Sequence, residues 1–345
     1  MDEIWVAVSG INAVDNPGPG IGVIRSLKED KDLNVKIIGL AYDAMESGIY
    51  MDWLVDKVFM MPYPSQGKEP FIKRLLYIKE VCNIDVIIPT LDVELPIYID
   101  STDYLESVGI KTFLPTKKQF ELRDKTKLIE IAEKIDLKIP QMKVITTYEE
   151  LTKTIEEIKL PVMVKGLYYG AYKAYTYQEI HNYFNKIVNE WGYPIIIQEV
   201  INGDEMDVIG VGDGKGESLG LMIIKKLWIT TLERTWIGVT IKNEALFNAA
   251  ERFIKEFKWR GAFELECIVA EDGVYLIEIN PRFPTWVYFS TGVGLNLPAR
   301  LLRASLGLPV ENKTNYPAGK LYVRYIDEIV TDLDRYQSVV VKGEC

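Results

Sequence analysis

Short apolar runs alternate with helical-period segments through the first third of the chain. IWVAVSG (4–10), VKIIGLAY (35–42), KVFMMPY (57–63) and DVIIPTL (85–91) read as buried strands. A helix starting near Gly20 and the segment PFIKRLLYIKEVCN (70–83) fall between them. Such alternation predicts α/β architecture with a parallel, doubly wound sheet. Residues 114–141 predict one or two helices that end before Pro140 and cross to a second region. From residue 142 the pattern shortens to VMVKG (162–166), PIIIQEVI (194–201), EMDVIGVG (205–212), SLGLMIIKKLWIT (218–230) and TWIGVTI (235–241). This later part reads as α+β with antiparallel sheets, a helix over 243–258 and another from near Pro298. The tail after residue 318 reads as terminal strands.

One stretch breaks the apolar rule. FELECIVAEDGVYLIEINPRF (263–283) sets Glu264, Glu266 and Glu278 into runs that otherwise look buried. Alternation puts Glu264 and Glu266 on one face, and Glu278 with Asn280 on one face beyond the turn. A three-residue loop at Glu271-Asp272-Gly273 pairs Ala270 with Val274. Glu266 then faces Glu278, and Glu264 faces Asn280. Directly opposed like charges repel, so this hairpin requires a cation between its strands. Two carboxylates and an amide are oxygen ligands, which favour Mg²⁺ or Mn²⁺ over zinc. Pro281-Arg282 brings a guanidinium beside the ion, where a phosphate could bridge the two.

Composition narrows the chemistry. A chain of 345 residues that is 48% hydrophobic and 26% charged suits two or three domains with sizeable cores. Net charge −10 and pI near 5.0 argue against a nucleic-acid partner. Basic residues are scattered, with no run beyond Lys225-Lys226, and no apolar stretch reaches spanning length, so no membrane partner is expected. MDEIWVAVSG opens as a strand without a signal-peptide pattern. Cys82, Cys267 and Cys345 are odd in number and widely spaced, which predicts a reducing cytoplasm and excludes a disulfide framework or zinc cluster. The single histidine, His181, excludes Ser-His-Asp and Cys-His sites. The chemistry must run on carboxylates, cations and metal.

Other candidates sit at strand ends. Asp15-Asn16-Pro17-Gly18-Pro19-Gly20-Ile21-Gly22 partly matches a dinucleotide fingerprint. Two prolines interrupt it and Asp43 is the nearest acid to end the second strand, so it reads as a structural turn into a helix. Asp92 and Glu94 follow the strand at 85–91, where open α/β sheets bind ligands, and are candidate substrate contacts. Lys125 lies at a helix start in Arg123-Asp124-Lys125. Lys165 closes the strand LPVMVKG, where a buried ammonium needs an anion. Gln198-Glu199-Val200-Ile201 ends a strand, and Asn202-Gly203-Asp204-Glu205 turns into another acid.

Together with Glu278-Ile279-Asn280-Pro281-Arg282, this order resembles the ATP-grasp superfamily, in the branch of the carbamoyl phosphate synthase large chain and the carboxylate–amine ligases. The resemblance covers roughly residues 4–310. It implies a Rossmann-like N-terminal domain (1–115), linker helices with a lid lobe (116–192), and a metal- and ATP-binding lobe (193–345). Lys125 and Lys165 would meet phosphates and the adenine N7 side. Gln198 and the hinge Glu199, Val200 and Ile201 would frame adenine, and Glu205 would accept from ribose. Glu266, Glu278 and Asn280 would hold one or two Mg²⁺ ions, with Glu264 as a supporting residue, a substrate contact or a ligand of a second ion, and Arg282 would be catalytic. The implied reaction is an ATP-dependent ligation of a small-molecule or peptide carboxylate to an amine through an acyl phosphate. A phosphotransferase or mixed-anhydride synthase, and a nucleotide-binding accessory protein without turnover, are the alternatives. Assembly is open, a homodimer being one option. One departure stands out: the family's Gly/Ser-rich loop is here Gly166-Leu167-Tyr168-Tyr169-Gly170-Ala171-Tyr172-Lys173-Ala174-Tyr175. Lys173 could substitute for lost backbone contacts to phosphate. Trp286 and Tyr288 are candidates for the acceptor side of the cleft.

Overall fold

The computed structural model describes residues 3–14, 16–231, 234–311 and 314–345. Strands β1 (Ile4–Ser9), β2 (Val35–Ala41), β3 (Lys57–Met60) and β4 (Val86–Ile88) form a parallel sheet in the order β3-β2-β1-β4. Alternation along β1 sends Val6 and Val8 to one core and Ala7 to another, so both faces are covered. That is why these strands read as continuous apolar runs. The glycine-rich turn after β1 is steric in origin. A Cβ on Gly20 would lie 2.1 Å from the Ser9 carbonyl oxygen, and one on Gly18 would lie 2.2 Å from that of Gly10. Asp15, at the head of that motif, is outside the described residues.

A small antiparallel sheet follows: β5 (Met142–Ile145), β6 (Val162–Gly166), β7 (Ala171–Ala174) and β8 (Ile195–Glu199), in the order β5-β8-β6-β7. Helices Tyr148–Glu157 and Tyr177–Trp191 close its core around Phe184 and Ile197. The expected boundary between residues 192 and 193 therefore falls too early, because β8 pairs inside this lid lobe.

The large sheet comprises β9 (Asp204–Asp213), β10 (Ser218–Ile229), β11 (Thr235–Thr240), β12 (Arg260–Ala270), β13 (Gly273–Asn280) and β14 (Leu321–Val323), ordered β13-β12-β9-β10-β11-β14. One face packs Leu265 and Cys267 against helices Leu128–Ile135 and Glu244–Phe257. The other sends Ile209, Val211 and Met222 into a core shared with Val6, Val8 and Ile24 of the N-terminal sheet. The tail is not a set of terminal strands. After β14 it forms helix Leu333–Lys342 and returns to the first sheet, where Val58 N donates to Cys345 O (2.8 Å) and Met60 N to Gly343 O (2.8 Å). Among the described residues, no helix is long and apolar enough to cross a membrane.

Candidate functional site

The β12–β13 hairpin pairs Glu264 with Asn280 and Glu266 with Glu278. Its loop end differs from expectation. Ala270 pairs with Gly273, not Val274, so the turn has two residues, and Gly273 adopts φ +148°. A β-bulge beside Glu266 then restores the frame, leaving Ile277 as the extra residue. The bulge lets Ile277 and Glu278 both line the same cleft.

Each acid is held by named partners. Glu266 accepts from Asn280 Nδ2 at 2.8 Å and from Lys226 Nζ at 3.1 Å. Asn280 Nδ2 also donates to Glu264 (2.9 Å), whose second oxygen accepts from Trp286 Nε1 (3.1 Å). Glu278 accepts from Lys125 Nζ at 3.1 Å. Arg282 donates through Nε to Asp92 (3.0 Å) and lies 3.6 Å from Glu264, while Arg123 reaches the other oxygen of Asp92 at 3.3 Å. Burial pushes Glu264 up, and Glu266 adds to it, to about 7. Burial also works against ionised Glu266, but Lys226 outweighs it, with Arg282 and Asn280 assisting, and the carboxyl is held down to about 2. Lys226 is likewise disfavoured by burial, yet Asp207, Glu266 and Glu264 hold it protonated, well above an ordinary lysine.

Between the lid and the large sheet lies a cleft of about 260 Å³. Lys165 and Lys173 face it from the lid, Gln198, Glu199, Val200 and Ile201 from the hinge, and Glu205, Lys226, Glu266 and Glu278 from the large sheet. The segment is tied at its start: Glu199 N donates to Gln141 O, and Gln141 N donates back to the Glu199 carboxylate at 2.8 Å.

The family model for the ATP-grasp domain matches residues 122–286. This stretch is an ATP-grasp domain. The chain is 25% identical over 236 residues to an uncharacterized protein of Methanocaldococcus jannaschii, covering 66% of this chain and 60% of that protein. It is 24% identical over 229 residues to the arginine-specific carbamoyl phosphate synthase large chain of Halalkalibacterium halodurans, covering 61% of this chain and 21% of that one. The chain thus spans less than two thirds of either relative. Among solved structures, it resembles the biotin carboxylase domain dimer of Hydrogenobacter thermophilus 2-oxoglutarate carboxylase, in complex with MgADP, ADP and bicarbonate. That match has TM-score 0.69 and 17% identity, over 92% of this chain and 73% of the other, and speaks to the fold alone.

Around the ATP-grasp domain, several expected residues fall elsewhere. Glu94 does not line a substrate pocket; it is fully buried, accepting from Ser9 Oγ, Tyr42 OH and the Thr90 and Leu91 amides. Trp286 packs in the core and holds Glu264, while Tyr288 donates to Glu29 and stacks under Arg25. Asp92 does meet the site, through Arg282. Lys173 is exposed at the cleft edge, 5.2 Å from the Tyr175 ring centroid. Three contributors escaped sequence reasoning: Lys226, Asp207 and Arg123. Lys226 carried a usable signal, since it is a lysine in an apolar strand, as Lys165 is.

Among the described residues, no three His, Cys, Asp or Glu side chains form a metal cage. Mg²⁺ does not need one: it takes one or two carboxylates and completes its octahedron with water and substrate phosphates. The opposed Glu266 and Glu278, now neutralised by Lys226 and Lys125, suit that arrangement.

Proposed function

We propose that this protein is an ATP-dependent ligase that activates a substrate carboxylate as an acyl phosphate and joins it to an amine. One observation carries the reading: two hairpin carboxylates oppose each other at a cleft that three lysines also enter. Glu266, Glu278 and Asn280 would hold Mg²⁺, which when bound neutralises charge on the β- and γ-phosphates. The hinge Glu199–Ile201 offers backbone groups to the adenine edge, and Glu205 stands where ribose hydroxyls would donate. Lys165 and Lys125 contribute positive charge to the triphosphate; Lys125 does so by leaving Glu278. The carboxylate oxygen of the substrate attacks the γ-phosphorus, the bridging bond to the β-phosphate breaks, and ADP departs. Arg282 stabilises the charge on the transferring group and on the acyl phosphate. An amine then adds to the acyl carbon, the bond to phosphate breaks, and the amine proton leaves with phosphate or water. Positioning does most of this, and no protein nucleophile is required. In this reading the N-terminal sheet is the Rossmann-like domain, and the ion pair between Asp92 and Arg282 supports a role for Asp92 on the acceptor side.

The test is ADP release across a panel of amino acids and peptides. Wild type should release ADP only with both a carboxylate and an amine, and Glu278→Gln should lose on the order of 10²–10³-fold while staying folded. Release onto a hydroxyl without amine would make it a phosphotransferase. No release under any mixture would leave a nucleotide-binding accessory protein.

A further inference from the structure

Arg324 follows the edge strand β14 and extends its ladder, its N donating to Trp236 O on β11 at 2.9 Å. Strand parity puts its side chain on the same face as Tyr322, whose ring centroid lies 5.8 Å from the guanidinium carbon. Nη2 donates to Thr285 O at 2.7 Å, but the buried Nε has no hydrogen-bond partner among the described residues. Other arginines of this region meet acids: Arg303 forks onto Asp30 at 2.8 Å, and Arg282 reaches Asp92 and Glu264. The titratable groups that act on Arg324 are the Tyr322 phenol and a second guanidinium, Arg234, with no carboxylate among them. Burial pulls Arg324 below its ordinary value, Tyr322 opposes this, and Arg234 adds to it. Arg234 ends the β10–β11 loop and reaches the N-terminal domain, where its Nε donates to Asn16 Oδ1 at 2.9 Å. A guanidinium with an unmet, buried N–H and a cation beside it is costly, and an oxyanion relieves both.

We propose that Arg324 and Arg234 receive an oxyanion, a carboxylate or a phosphate, that the non-nucleotide substrate carries in addition to its reacting group. This rests on the ATP-dependent ligase reading above. Neither arginine lines the cleft between the lid and the large sheet, so the nucleotide's own phosphates are not the anion. The pair nevertheless adjoins the reaction centre. Thr285, which anchors Arg324, is three residues from Arg282, so their Cα atoms are at most about 11 Å apart. Thr285 also precedes Trp286, whose indole holds Glu264 at 3.1 Å. The receiver therefore sits one short loop from Arg282, on the side of the N-terminal domain. Asn16 belongs to the glycine-rich turn after β1, so that turn positions an arginine and does not cradle a dinucleotide.

The full chain, its nucleotide site filled with β,γ-imido ATP and Mg²⁺, is titrated calorimetrically with succinate and, separately, with inorganic phosphate. Wild type should bind one of the two, which tells carboxylate from phosphate, and Arg324→Met should weaken that binding about 30-fold. Arg234→Gln, a change in a loop, should weaken it about tenfold and decides the matter if Arg324→Met does not fold. In the ADP-release assay, aspartate, glutamate or O-phosphoserine should outperform alanine, asparagine and serine. Arg324→Met should raise the KM for the anionic substrate about 30-fold with little change in the KM for ATP. Failure of wild type to bind either anion, or equal binding by wild type and the folded variants, overturns the inference. Equal kcat/KM for neutral and anionic substrates overturns it too. Anion binding that is lost in the variants, with no ADP release by wild type under any mixture, would keep the receiver and defeat the ligase reading instead.

Discussion

Two acids, the fully buried Glu94 and the half-buried Glu266, are pushed in opposite directions. Glu94, beside the carboxyl ends of β1 and β4, receives only neutral donors: two hydroxyls and two backbone amides. Burial pushes its carboxyl up, and those donors offset that only in part. Glu266 is met by an ammonium and an amide, and stays ionised down to about 2. Both lie in segments with similar apolar flanks. What separates a structural staple from a site acid is the charge of its donors. Neutral donors close a site, whereas a cationic partner can hand its carboxylate to another cation.

The comparison breaks most visibly at Arg282. Arg282→Lys keeps the charge but loses the fork that spans Asp92 and Glu264. Turnover of the proposed reaction should fall about 10²–10³-fold with little change in the KM for ATP. A loss below threefold would mean that cation geometry is not what the cleft uses.

Glu94 should fail differently, in stability. Glu94→Leu strands the Ser9 and Tyr42 hydroxyls and the Leu91 amide in a buried pocket, while the Thr90 amide keeps Ser9 Oγ as acceptor. At about 1–3 kcal/mol for each buried group left unmet, with some relaxation, the unfolding free energy should drop by about 3–5 kcal/mol in urea titrations. Glu94→Gln tests the charge alone. Because the folded carboxyl titrates above its ordinary value of 4.5, the folded state binds the extra proton between the two values. The stability this gives is complete below 4.5 and is lost as pH rises through the folded value. Wild type should therefore lose stability relative to Glu94→Gln as pH is raised from 4.5 towards neutrality; a parallel pair of curves would show that Glu94 is ionised when folded.

How far the sequence carried depended on which interactions are local. Alternation of period two is local, so the parallel strands and the carboxylate face of the hairpin could be read directly. The hairpin register came out right at Glu266 and Glu278 through two deviations that cancel: a turn one residue shorter, and a bulge at Ile277. Pairing partners are not local, so β8 was placed in the wrong lobe. The tail misled for another reason. Val339, Val340 and Val341 favour a strand, but the segment is a helix whose Val339 is buried in the shared core, ending at Gly343 in the left-handed region. Lys226 and Lys225 are indistinguishable by composition. Only strand parity, interrupted by a bulge after Lys226, tells which one enters the cleft.

The smallest effect concerns a third kind of contact, a cation held by a ring. In place of a glycine-rich loop tip, Tyr168 presents its ring to the Arg123 guanidinium, 4.3 Å from the centroid, while its carbonyl lies 3.5 Å from Lys125 Nζ. Arg123 also serves Asp92, so the tip of the 167–170 loop and Asp92 share one cation. Tyr168→Leu keeps apolar bulk and removes the π face. A cation–π contact of about 1 kcal/mol corresponds to roughly a fivefold change in binding, so the KM for ATP should rise about fivefold with kcat nearly unchanged. Residues 167–170 should also become more open to limited proteolysis. If Tyr168→Leu instead lowers kcat with KM intact, the ring acts on the acceptor side through Arg123 and Asp92, and the lid is held closed by other contacts.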